Sequence, residues 1–216
     1  MMRAGLFVLL FAGAACAHLP TLAPMAEAQK SATVARCLAS FPRQPWRATH
    51  AIFATLPFGQ QSQLVGVTAT GPDGLHAVLL SPEGLALFDG TQRRPGAAGP
   101  PLAVRRAVPP FDRPAFAASL IADVGTVFLA PAGAPTEVGT YLTGESVCRW
   151  VLPPSEATEV ILGPAGTRSL RTYRNLHLGR HVDFLGAADN GFFPEVRLVV
   201  PGAGGYTLEM RLVDHE

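Results

Sequence analysis

Only a few residues of this chain are of a type and spacing that could do chemistry. Cys16, Cys37 and Cys148 are the redox-active and nucleophilic candidates. His177 and His181 lie four apart in HLGRH, which puts both on one face of a strand or a helix. With Asp183 or Asp189 nearby, a metal site is conceivable. Gly179 between them points instead to a turn, and no further His or Cys ligand lies close. Solvated polar positions near a strand end are the better reading. Residues 163–167 (GPAGT) lack the lysine and spacing of a phosphate-binding loop and read as a hairpin turn. No G-x-S-x-G elbow occurs, so nothing supports a serine hydrolase. Arg149 beside Cys148 could favour a thiolate, but no histidine partner can be argued from sequence. With no nucleophile–base pair to name, the chain is expected not to be an enzyme and to use no metal or cofactor.

Cys16 stands apart because of what precedes it. Arg3 gives a short basic start. Residues 4–12 are mostly apolar, and Gly13, Ala14 and Ala15 are small. That is the layout of a secretory signal. The apolar run, about 12 residues long, is too short to span a bilayer, which takes roughly 20. Small residues directly before a cysteine resemble the lipobox of bacterial lipoproteins, with Gly13 standing where leucine is commoner. The resemblance implies cleavage after residue 15 and acylation of Cys16. Each buried CH₂ contributes about 0.8 kcal/mol, so several chains on one cysteine hold a protein firmly on a membrane. Ala17 after the cysteine, rather than aspartate, implies the outer membrane, on its periplasmic face.

The elements that must position anything further follow from composition and period. Removing the signal leaves about 200 residues, enough for one core and one domain over residues 25–216. With 17 basic and 16 acidic side chains, and the arginines scattered, no nucleic-acid surface is expected. In an oxidising compartment Cys37 and Cys148 are either a disulfide or two buried free thiols. Residues 16–24 read as the lipidated cysteine and a short tether. Val34, Leu38 and Phe41 recur at helical spacing within residues 26–41, and Pro42 and Pro45 end that helix. The period then drops to two. Residues 64–70, 75–80 and 85–89 read as strands joined by GPDG and SPEG turns, an antiparallel meander. Residues 90–101 read as a Pro/Gly-rich loop.

A second helix follows, with Asp112 as N-cap and Pro114 in its first turn. Phe116, Leu120, Val124 and Phe128 make a broad apolar stripe, with Ser119, Asp123 and Thr126 on the other face. Residues 147–152, 159–162, 169–174, 196–200 and 206–213 read as further strands. In the last, Tyr206, Leu208, Met210 and Leu212 share one face. Phe192 and Phe193 beside a turn are either exposed at a rim or a plug in the core. Trp46 and Trp150 read as packing residues. Many antiparallel strands and two helices fit a mainly β (α+β) fold, a curved antiparallel sheet or unclosed β-barrel with helices over its concave face.

That order resembles the LolA/LolB lipoprotein carriers. Two stretches carry the resemblance: residues 79–90 (LLSPEGLALFDG), similar to the family's central hairpin, and residues 192–213 (FFPEVRLVVPGAGGYTLEMRLV), similar to its C-terminal hairpin. No segment matches the family's membrane-inserting loop. The resemblance implies a hydrophobic cavity for acyl chains. The sheet residues Leu79, Leu87, Leu208 and Met210, roofed by Phe116, Leu120, Val124 and Phe128, would line it. The partners so implied are the membrane, through the lipid anchor, and an acyl-chain or lipoprotein cargo. The alternative is a filled core on a structural or partner-binding envelope lipoprotein without a ligand. A cavity exists only where helix and sheet are held apart.

Overall fold

A computed structural model describes residues 19–43, 45–94, 99–164 and 166–216. Cys16 and the signal segment lie outside the described residues. Among the described residues thirteen antiparallel strands form one sheet: β1 Ala23–Pro24, β2 Trp46–Thr55, β3 Gln61–Gly71, β4 Gly74–Leu80, β5 Ala86–Arg93, β6 Leu102–Ala107, β7 Glu137–Thr140, β8 Ser146–Leu152, β9 Glu156–Leu162, β10 Arg168–Arg174, β11 His177–Leu185, β12 Glu195–Val200 and β13 Tyr206–His215. Their spatial order is β1-β7-β8-β9-β10-β11-β12-β13-β2-β3-β4-β5-β6, so β1 and β6 are free edges and the sheet does not close. The one non-sequential join in the middle, β13 against β2, brings the C-terminal hairpin beside the N-terminal meander. Two helices, α1 Glu27–Ala39 and α2 Pro114–Phe128, cover the inner face. This is the expected fold class.

Strand alternation decides what points inward. On β2 the even-numbered residues Trp46, Ala48 and His50 are buried, while Arg47 and Phe53 face out. His50 pairs across with Leu212 on one side and Gly66 on the other, and Gly66 pairs with Leu79 and then Phe88. One rung of the inner face therefore runs Leu212, His50, Gly66, Leu79, Phe88. The core has two parts. One gathers the β8–β13 inner residues with α1 and the end of α2, and the other packs Ala77, Leu79 and Phe88 against Ala117 and Ile121 of α2.

α1 buries Thr33 and Cys37, one turn apart, and leaves Leu38 38% exposed. Its inward face is thus turned from the expected Val34–Leu38 line, because Cys37 is bonded to Cys148 of β8. At its C-terminus Arg168 of β10 donates to the Ser40 carbonyl and stacks on Phe41 and Phe184, 4.0 and 3.8 Å from the ring centres. Phe192 and Phe193 are buried and plug this end of the core. Gly191 between them and the turn has φ +85°, and a Cβ there would come within 2.5 Å of the Phe41 backbone.

The expected tether is held down in its last residues. Arg149 Nη2 donates to the Pro20 carbonyl at 2.5 Å, and Ala23–Pro24 pairs with β7. Arg149 belongs to an ionic cluster on the outer face of the sheet. There Glu159, fully buried, accepts from Arg149 Nε at 2.7 Å, Tyr141 at 2.6 Å and Tyr173 at 2.9 Å.

Candidate hydrophobic site under helix α2

α2 is an almost wholly apolar segment, and its one charge is Asp123. Pro114 opens it, as expected of a proline at a first helical position. Arg113, not Asp112, occupies the N-cap, with no side-chain cap bond. The helix lies across both parts of the core, with Ala117 and Ile121 in one and Val127 and Phe128 in the other. Phe128 reaches Trp46 and Phe192, with ring centres 5.5 and 6.4 Å away.

Asp123, read from sequence on the face opposite the apolar stripe, is buried. It is 3% exposed, and its carboxylate accepts from Arg180 of β11 and Tyr206 of β13. Burial pushes its pKa up, and the Tyr206 hydrogen bond and the Arg180 charge oppose that rise. The Tyr206 hydroxyl is pushed up in turn, by burial and then by the Asp123 charge. These bonds tie the middle of α2 to the C-terminal half of the sheet. A carboxylate alone in an apolar helix was the signal that it had a partner.

Between α2 and the sheet lies a cavity of about 50 Å³. Of the eight residues expected to line such a space, Leu79, Leu120, Val124, Phe128, Leu208 and Met210 do so. Leu87 and Phe116 do not. A register shift between β4 and β5 pairs Leu79 with Phe88 and Leu80 with Ala86, so Leu87 drops out of the rung and Phe88 takes the inward place. Phe116 is 39% exposed and packs edge-on against Phe111, 5.3 Å between centres. Sequence reading missed His50, Thr68 and Gly66, which also line the cavity. Among the described residues neither His50 Nε2 nor Thr68 Oγ1 has a hydrogen-bond partner. Burial, then the charge of His215, holds the His50 pKa down at about 4.

The cavity also corrects the picture of a roof held well clear of the sheet. A water needs about 10–15 Å³ of such space, so 50 Å³ admits a few waters and no acyl chain. Larger depressions exist, and one of about 790 Å³ is an open groove on the outer face beside Tyr141 and Arg171.

The other chemistry-bearing residues are placed elsewhere. The Sγ atoms of Cys37 and Cys148 form a disulfide, with Cα atoms 6.5 Å apart. His177 is exposed at the start of β11, which continues through Gly179 as a strand, and His181 Nε2 lies 2.7 Å from Asp183. Among the described residues no three His, Cys, Asp or Glu side chains converge on a point where a metal could sit. Phe58, in the turn between β2 and β3, is fully exposed at φ +66°.

No family model matches this chain, and no curated protein matches it in sequence. Solved structures do match. A LolA superfamily protein from Nitrosomonas europaea superposes with a TM-score of 0.52 at 8% identity, over 87% of this chain and 92% of the other. A domain described as an outer membrane lipoprotein-sorting protein, from Vibrio parahaemolyticus, superposes with a TM-score of 0.50 at 11% identity, over 88% and 92%. The unclosed antiparallel sheet with helices on its inner face is a fold that this chain shares with these two solved structures.

Proposed function

We propose that this chain is a non-enzymatic lipoprotein of the bacterial envelope, anchored through Cys16, that shelters a hydrophobic acyl chain between α2 and the sheet. The observation that carries this reading is the cavity under α2. It is lined by apolar side chains from β2, β4, β5, β12 and β13, and its roof is one helix. The fold likeness supports it, since the Vibrio domain's description names lipoprotein sorting. The structure corresponds to a closed state, and an acyl chain enters when α2 lifts. Lifting breaks the bonds of Asp123 to Arg180 and Tyr206 and parts Phe128 from Trp46. Phe58, standing clear of the turn between two cavity-lining strands, is suited to touch a lipid surface. The anchor would keep the protein on the periplasmic face of the outer membrane.

A second reading, a partner-binding envelope lipoprotein with a filled core, is favoured by the small volume of the cavity. The two separate in one experiment. The mature chain carrying Cys16→Ser, expressed in the envelope and purified without detergent, is analysed by native mass spectrometry. Carrier function predicts a co-purifying lipid in one-to-one complex that organic extraction removes. Lipid-free protein that also fails to take up diphenylhexatriene would leave only the second reading.

A further inference from the structure

The cavity under α2 is apolar except at three side chains, and two of these have unanswered hydrogen-bonding atoms. His50 and Thr68 are 2% and 6% exposed, both line the cavity, and His50 Nε2 and Thr68 Oγ1 are without partners. The third, Asp123, is already engaged by Arg180 and Tyr206. Buried polar atoms are normally paired, because an unpaired one forfeits the hydrogen bonds it makes in water. Two orphans in one small cavity are therefore a feature to be explained.

Their placement makes them a pair. Ala48 of β2 lies opposite Thr68 of β3, and His50 lies opposite Gly66, so His50 and Thr68 are diagonal neighbours on the inner face. Diagonal neighbours on adjacent strands stand roughly 7–8 Å apart, close enough for one small group to reach both. Gly66 puts no side chain between His50 and Leu79, and a Cβ there would approach Ile52 Cδ1 to 2.7 Å. The Ile52 side chain occupies that space, and Phe128 covers the imidazole from above, its ring centre 5.1 Å from that of His50.

We propose that the ligand this cavity takes is an acyl or alkyl chain whose buried part carries a neutral hydrogen-bonding group, a hydroxyl or an ester or amide carbonyl, bound by Thr68 Oγ1 and His50 Nε2. This rests on the ligand-binding reading above and narrows it. A hydroxyl can both give and receive a hydrogen bond, and Thr68 and a neutral imidazole between them offer both roles. His50 is neutral at physiological pH because burial holds its pKa near 4. A charged headgroup fits poorly. The cavity lining contains no Lys or Arg to meet an anion, and the Asp123 carboxylate on its wall repels one.

The test uses the full mature chain with Cys16→Ser and two probes of equal length, 1-decanol and decane, competing with bound diphenylhexatriene. In a cavity with no partner for it, the hydroxyl loses its hydrogen bonds to water and decanol binds about tenfold to a hundredfold more weakly than decane. With Thr68 and His50 as partners, decanol binds at least as tightly as decane. Thr68→Val, which keeps the side-chain shape, then weakens decanol about tenfold, leaves decane unchanged, and makes the ligand-free protein more resistant to urea. Decanol binding tenfold or more below decane overturns the polar site and leaves the ligand-binding reading standing, as does a Thr68→Val change that shifts both probes alike. Failure of either probe to displace diphenylhexatriene overturns both.

Discussion

His50 shows how much one residue can hold that patterning does not reveal. In sequence it is one polar letter in WRATHAIFAT, where no alternation of large and small apolar residues marks a strand. The inward positions of β2 are Trp46, Ala48, His50, Ile52 and Ala54, a mixture of large, small and polar, while Phe53 faces out. Asp123 was hidden for the opposite reason. It falls on the polar side of a helical wheel, yet α2 is covered there by β11 and β13. The two residues respond to pH in opposite senses. Between pH 6.5 and 4 the unfolded chain takes a proton at His50 that the folded chain refuses. The stability from this site is therefore complete above pH 6.5 and is lost as pH falls through 4, about 3 kcal/mol in all. The raised Asp123 carboxyl contributes stability at low pH that is lost as pH rises through its elevated pKa, so the wild-type profile mixes both. Comparing urea midpoints of wild type and His50→Phe across this window isolates His50. The variant should lose about 3 kcal/mol less on acidification, and parallel profiles would show that the imidazole is hydrated.

At the scale of elements, the strands with clean alternation were legible: β3, β4, β8, β10, β12 and β13 all lie where period-two runs placed them. β11 was not, because Gly179 reads as a turn yet sits in an interior strand with Thr172 backbone 3.5 Å from where its Cβ would be. β6 and the last residues of β5 were lost to the Pro/Gly composition around them. The pairing of Cys37 with Cys148 was one of two readings from sequence, and the structure joins them. That bond ties α1 to β8 across 111 residues. Cross-linking so long a loop removes much chain entropy from the unfolded state, and losing such a bond typically costs about 2–5 kcal/mol. Cys37→Ser with Cys148→Ser should therefore lower the unfolding free energy from urea titration by that amount and equal the effect of reduction by dithiothreitol on the wild type. If reduction leaves the midpoint unchanged, the helix is held by Arg168 and packing alone.

At the scale of the molecule, the fold class followed from counting antiparallel runs and two helices, but the state of the interior did not. Whether a helix rests on a sheet or stands off it depends on a few ångströms of side-chain fit, which hydrophobic pattern does not encode. Here Leu120, Val124 and Phe128 settle onto Leu79, Leu208 and Met210 with about 50 Å³ left over. The account thus depends on α2 being able to rise, against the bonds of Asp123 and the packing of Phe128, when a chain is offered. The direct measurement is the distance between spin labels at Ala118, exposed on α2, and Gln63, exposed on β3, in the Cys16→Ser protein with its disulfide intact. Pulsed electron paramagnetic resonance should show one distance in the free protein and a second, longer population on saturation with 1-decanol. A single unchanged distance at saturating ligand would contradict the account and return the protein to a closed core.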